Sequence, residues 1–222
     1  MLSRRKTLKA LGVGSLVSAL PLLTFAQSPT QDSVVANSLK IPAVLDGDSI
    51  ANIRQFQLSL QSGSSSFFPG VQTETMGING SYLGPTMRFR RGEQVALQVH
   101  NQLSESSTLH WHGFHLPPSA DGGPHQPISA GQTWNTGFEV VQFAGTYWYH
   151  SHMLHTSGEQ VYRGVAGLIL IDDDEQQAEL PSDYGVDDIP LVVQDRRFND
   201  DGSLAYMNRY EDMVMGMHGD IV

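Results

Sequence analysis

Thr108-Leu109-His110-Trp111-His112-Gly113 and, further along, Gly145-Thr146-Tyr147-Trp148-Tyr149-His150-Ser151-His152 decide how this chain is read. Each stretch carries two imidazoles two residues apart. On an extended strand, residues i and i+2 point to the same face, about 7 Å apart. If the two strands lie side by side, four rings converge on one small volume. A lone HxH in a strand is more often incidental than ligating. Two such pairs, each beside aromatic residues, read as a metal site. Neutral imidazole suits copper, zinc, iron and nickel, and copper(II) binds most tightly of the divalent series at equal geometry.

The flanking sequence keeps a two-residue period. Phe56, Leu58 and Leu60 alternate with Gln55, Gln57 and Ser59, and Val95, Leu97 and Val99 with Gln94, Ala96 and Gln98. Turns are expected at Asn79-Gly80, Gly84-Pro85 and Arg91-Gly92. Further strands are expected at Thr108–His112, Thr133–Val141 and Thr146–His152, with a loop from Pro117 to Pro127. Gly164 to Ile171 is apolar on both faces, as an interior strand would be. Helical signal is weak, with at most a short turn near Ser157 to Tyr162. Short strands punctuated by Gly and Pro predict an all-β sandwich or barrel.

The amino terminus reads differently. Arg4, Arg5, Lys6 and Lys9 precede an apolar run from Ala10 to Phe25 and a small residue, Ala26. That pattern predicts an export signal over 1–26, of the twin-arginine type that passes folded proteins through its own export machinery. The run is short and broken by Gly12, Gly14 and Pro21, so no stable membrane span is expected. The mature protein is expected outside the cytoplasm, in the periplasm. Residues 27–48 read as a flexible tether, 49–171 as the first domain, and 172–188, with Asp172-Asp173-Asp174-Glu175, as an acidic linker. Ile189 to Val193 reads as a strand opening a second domain over 189–222, with a turn at Asp200-Asp201-Gly202. The chain ends at Val222 within what reads as another strand, Gly219 to Val222, so a fragment of a longer protein is expected.

Charge and composition exclude some functions. The net charge is −10, and no acidic residue precedes residue 27, so the surface after the signal is more acidic still. Such a surface repels phosphate backbones, and nucleic acid is not an expected partner. There is no Cys, which excludes thiolate metal ligation.

Taken together, Asn79 to Arg91 (NGSYLGPTMRFRR), HWHG, Asp121-Gly122-Gly123-Pro124, the Gly145–His152 run and Gly164-Val165-Ala166-Gly167 resemble the multicopper oxidases, in order and spacing as well as in letters. The resemblance covers about residues 50–222 and is nearest to exported bacterial laccase-like and cuprous oxidases; Asp187 to Phe198 looks like the start of their second domain. It implies cupredoxin domains, each a Greek-key β-sandwich or barrel. It implies that His110 binds a type 2 copper, that His112, His150 and His152 bind a type 3 pair, and that the Asp121 carboxylate orients water and relays protons. The family's trinuclear cluster takes half of its histidines from a C-terminal domain, which also supplies the Cys and His of the type 1 site. With no Cys, no blue-copper site is possible in this chain.

The remaining candidates have plainer readings. His100, His115, His125, His155 and His218 are read as surface or supporting residues, with His115 and His155 nearest the pairs. Met213, Met215 and Met217, beside His218, could bind Cu(I) but are read as core filling on a strand. Trp111 and Trp148 are read as packing that excludes solvent. Read from its residues alone, Asp121 would cap a turn before Gly122-Gly123.

The function implied is an exported oxidase. It would couple one-electron oxidation of a phenol-like substrate or Cu(I) to reduction of dioxygen to water. This chain would supply half of the cluster's ligands and no turnover of its own. The alternative is a non-catalytic cupredoxin protein, like the cell-division relatives that have lost copper ligands. A zinc hydrolase would want a further carboxylate in the motif (HxHxD) or a βα repeat, and neither occurs. In copper nitrite reductases the first domain would carry the type 1 Cys.

Overall fold

Alternation along Gln94–Asn101 shows how the fold is built. Val95, Leu97 and Val99 turn into the core, while Gln94 and Gln98 face solvent, as a pleated strand requires. The computed structural model describes residues 39–172 and 181–222. The expected export signal, 1–26, lies outside these residues, as do 27–38 of the tether and 173–180 of the linker.

In chain order the strands are β1 (Val44–Leu45), β2 (Asp48–Ile50), β3 (Ile53–Ser65), β4 (Thr73–Ile78), β5 (Thr86–Arg90), β6 (Gln94–Asn101), β7 (His110–His112), β8 (Thr133–Glu139), β9 (Gly145–His150) and β10 (Ala166–Asp172). Two short helices, α1 (Ser157–Arg163) and α2 (Tyr210–Met215), accompany them. One sheet has the order β2-β3-β6-β8, with β4 also paired to β3. The other runs β1-β5-β10-β9-β7 and so places β7 at its edge. Crossovers give parallel pairing of β3 with β6 and of β5 with β10.

Phe56, Leu58, Leu60 and Leu97 from the first sheet meet Met87, Phe89, Trp111, Tyr149 and Ile169 from the second in one core. This is the expected all-β, cupredoxin-like sandwich. Between β9 and β10 the packing is close. Gly167 lies opposite Tyr149, and a Cβ there would strike the tyrosine ring. The Tyr149 hydroxyl reaches over Gly167 and donates to the Pro85 carbonyl just before β5 (2.7 Å).

Several expectations need correction. Within the stretch read as a tether, Val44–Leu45 pairs with β5, and Asp48 begins β2 on β3. Asp172, read as the first linker residue, ends β10, and its carboxylate accepts from the Arg88 guanidinium (2.6 Å). Tyr184, also in that stretch, donates its hydroxyl to the Pro42 carbonyl (2.7 Å). Ile189 to Val193 forms no strand; among the described residues no partner strand is present to satisfy its backbone groups. Gly219 to Val222 contributes only a bridge between Ile221 and Arg196. Met213 and Met215 are 72% and 83% exposed on α2, which overturns their reading as core filling on a strand. A helix places residues two apart on nearly opposite sides, so Met213 and Met215 share no face, while Met217, beyond the helix, accepts from the Met207 amide (3.3 Å).

Candidate metal centre

At the edge of the second sheet, β7 pairs with β9 in antiparallel register: His110 opposite His150, Trp111 opposite Tyr149, His112 opposite Trp148. Because side chains alternate, Trp111 and Tyr149 both point inward and are fully buried. His110, His112, Trp148 and His150 share the other face. Strand β9 stops at His150, and His152 follows just beyond it. The amide of His152 donates to Thr108 Oγ1 (2.7 Å), which holds this turn against the segment leading into β7.

Three imidazole rings gather around that of His110. Its ring centroid lies 5.8 Å from that of His112, 5.5 Å from His150 and 5.2 Å from His152. His150 is 5.3 Å from His112 and 5.9 Å from His152. For His110, His112 and His150, one nitrogen from each ring falls within 4.8 Å of the others. His112 and His152 are exposed, His110 half-buried and His150 buried.

Hydrogen bonds fix which nitrogens are available. His110 Nδ1 donates to the Asp121 carbonyl oxygen (2.9 Å) and His150 Nδ1 to that of Ser151 (2.7 Å). A carbonyl only accepts, so each Nδ1 carries a hydrogen, and the neutral form of each ring presents its lone pair at Nε2. His150 Nε2 lies 3.1 Å from His112 Nδ1. Burial is the main force on the His150 imidazole, with His110, His112 and His152 adding to it, and together they hold its pKa down to about 4 despite the opposing bond to Ser151. The ring is therefore neutral near pH 7. Lone pairs on neutral nitrogens, oriented by carbonyls behind them, are the donor set that a copper or zinc ion requires.

The Asp121 carboxylate sits beside the same ring, with Oδ2 3.5 Å from His110 Nδ1. The main chain here is held close. Gly122 has φ +70°, and a Cβ on it would strike the Leu109 carbonyl immediately before His110. Its amide donates to Gln126 Oε1 (2.7 Å). Trp111 Nε1 donates to the Ala120 carbonyl (3.0 Å), tying this loop to β7.

His115, His125, His155 and His218 are exposed, and His100 shares a hydrogen bond with Thr133 Oγ1 (2.9 Å) on the opposite sheet. One contact exceeds the packing role read for it: Trp148 stacks on His150 with ring centroids 4.0 Å apart and also leans on His112 at 5.1 Å. The sequence signal for it was its place two residues before His150, on the same face. The carbonyls of Asp121 and Ser151 left no signal at all, because every residue carries one.

Residues 59–176 match the family model for the multicopper oxidases. The chain belongs to this family. A multicopper oxidase of Staphylococcus aureus, Mco, is 39% identical over 163 residues, covering 73% of this chain and 36% of the relative. The cell division protein FtsP of Escherichia coli is 33% identical over 206 residues, covering 92% and 42%. Among solved structures, the laccase-like multicopper oxidase CueO of Ochrobactrum sp., described with oxidase activity towards lignin model compounds, superposes with TM-score 0.75 at 40% identity, covering 82% of this chain and 40% of that one. The chain thus spans about two fifths of the length of the relatives it matches. Membership of this multicopper oxidase family implies copper as the metal, and the set of imidazole nitrogens fits it.

Proposed function

We propose that this chain is the first part of an exported multicopper oxidase, carried by twin-arginine export to the periplasm, and that it supplies half of the ligands of an oxygen-reducing copper cluster. The observation that carries this reading is the gathering of three imidazoles, those of His112, His150 and His152, around that of His110. His110 would hold the type 2 ion, and His112, His150 and His152 the type 3 pair. When bound, copper supplies one-electron chemistry, linking oxidation of a phenol-like substrate or Cu(I) to reduction of dioxygen to water. The chain's own residues orient and protonate. The carbonyls of Asp121 and Ser151 fix the tautomers of His110 and His150. The Asp121 carboxylate, with Oδ2 3.5 Å from His110 Nδ1, would orient water and relay protons beside the site. The type 1 site is assigned to a further domain, since this chain has no Cys.

Copper loading followed by electron paramagnetic resonance tests the assignment. The chain is expected to give copper in nitrogen coordination without oxidising an added phenol. The double variant His110→Ala/His112→Ala is expected to lose the bound copper, and copper content unchanged in that variant would show that other residues hold it. A second reading, a non-catalytic cupredoxin-domain protein, is favoured by the 92% coverage against the cell division protein FtsP. Failure of the wild-type chain to retain copper would support that reading.

A further inference from the structure

The ladder between β7 and β9 covers only three residue pairs and ends at His110 opposite His150. Beyond it, the two histidine-bearing segments are held together by side chains. Gln160, on the inward face of α1, is 0% exposed and uses its whole amide. Its Oε1 accepts from Ser107 Oγ (2.7 Å) and from Ser151 Oγ (2.6 Å). Its Nε2 donates to Glu105 Oε1 and to the Ser106 carbonyl, each at 2.9 Å. Ser107 lies three residues before His110, and Ser151 lies between His150 and His152. One side chain therefore grips both segments.

We propose that Gln160 is a positioning residue that sets the separation of the two histidine pairs, and with it their affinity for copper. The inference rests on the reading of these histidines as metal ligands. The Ser151 carbonyl is the acceptor for His150 Nδ1, so a shift of Ser151 turns the His150 ring. The Ser107–Thr108 segment carries the hydroxyl that receives the His152 amide, so a shift there moves His152 as well. Without the shared acceptor, the buried Ser151 hydroxyl must find a new one and Ser107 Oγ is left with its longer contact to the Thr108 carbonyl (3.2 Å), which costs more than the bonds themselves are worth. The segments then relax by fractions of an ångström, the range within which ligand distances decide metal binding.

The test uses the whole 222-residue chain, with Cu(II) as the probe, in wild type, Gln160→Met and Ser151→Ala. Gln160→Met keeps the length of the side chain and removes its polar atoms. It is expected to weaken Cu(II) binding about tenfold, as loss of groups that orient ligands commonly does, and to change the copper hyperfine splitting. In the metal-free chain the same variant is expected to speed exchange of the His150 Nδ1 proton, read by nuclear magnetic resonance. If Gln160→Met does not fold, Ser151→Ala, which removes a single arm, carries the same expectations on a smaller scale. Wild-type affinity, spectrum and proton exchange in Gln160→Met would overturn the inference. If the wild-type chain holds no Cu(II), the ligand reading fails, and His150 proton exchange still decides whether Gln160 positions the ring.

Discussion

His150 shows how a single residue couples site chemistry to stability. It is the most buried of the four rings, at 7% exposure, and it lies under Trp148. Its pKa of about 4 in the folded chain compares with 6.5 for an unperturbed imidazole. Above pH 6.5 both states leave it neutral, and it has no effect on the pH dependence of folding. As pH falls from 6.5 towards 4, the unfolded chain takes up a proton that the folded chain refuses, so stability is lost through that window. Urea midpoints of the metal-free chain at pH 7 and pH 4.5 are expected to fall further for wild type than for His150→Gln; equal losses would mean that the ring is not held neutral. The four histidines were legible in the sequence because a period of two is a side-chain rule. Their orienting carbonyls were not, because backbone groups carry no letter of their own. Asp121 illustrates the difference: its carboxylate drew notice, yet the shorter bond to His110 comes from its carbonyl.

Between elements, the same alternation that exposes the histidines buries their neighbours. Trp111 and Tyr149 lie on the inner face of β7 and β9, so one register decides both core and site. Gly167 on β10 is part of that arrangement, since the ring of Tyr149 occupies the space a side chain would need. Gly167→Ala is expected to destabilise the fold by about 1–3 kcal/mol, the usual cost of overpacking a close-packed core. A lowered urea midpoint with an unchanged slope checks it, and an unchanged midpoint would show that the strands can part at no cost. Strands β3, β6, β8 and β10 could be anticipated because their apolar alternation or apolar run is long. Strands β1 and β2 could not. Two or three residues show no period, and they exist only because β5 and β3 offer edges to pair with. Helix α1 was foreseen only as a turn, since seven residues give just under two turns of pattern.

At the scale of the whole molecule, Lys40–Val222 gathers into one unit, although the sequence suggested a break at the acidic run. The later residues are fastened to the sandwich by polar contacts that a hydrophobic pattern does not reveal. Thr73 Oγ1 donates to the Gly202 carbonyl (2.7 Å), and the Arg197 amide donates to the Tyr162 hydroxyl (2.7 Å). The Arg197 guanidinium is buried in an ion pair with Asp212 on α2, reinforced by Asn208 Oδ1 (3.0 Å). The hydrogen bond from Arg197 holds the Asp212 carboxyl below the ordinary carboxylate range, against the opposing effect of burial. Because its folded pKa is depressed, the pair contributes fully above that range and is lost as pH falls through the lowered value. Removing one partner leaves the other charge buried without compensation, which is more costly than never having built the pair. Asp212→Asn is therefore expected to raise amide hydrogen exchange at Arg197 and Ala205 at pH 7 while the amides of β3 and β6 keep their protection. In strong acid, where the wild-type carboxyl is protonated, the two proteins are expected to converge. Uniform loss of protection across β3 and β6 would instead make this ion pair part of the sandwich's global stability rather than a local fastening of the later residues.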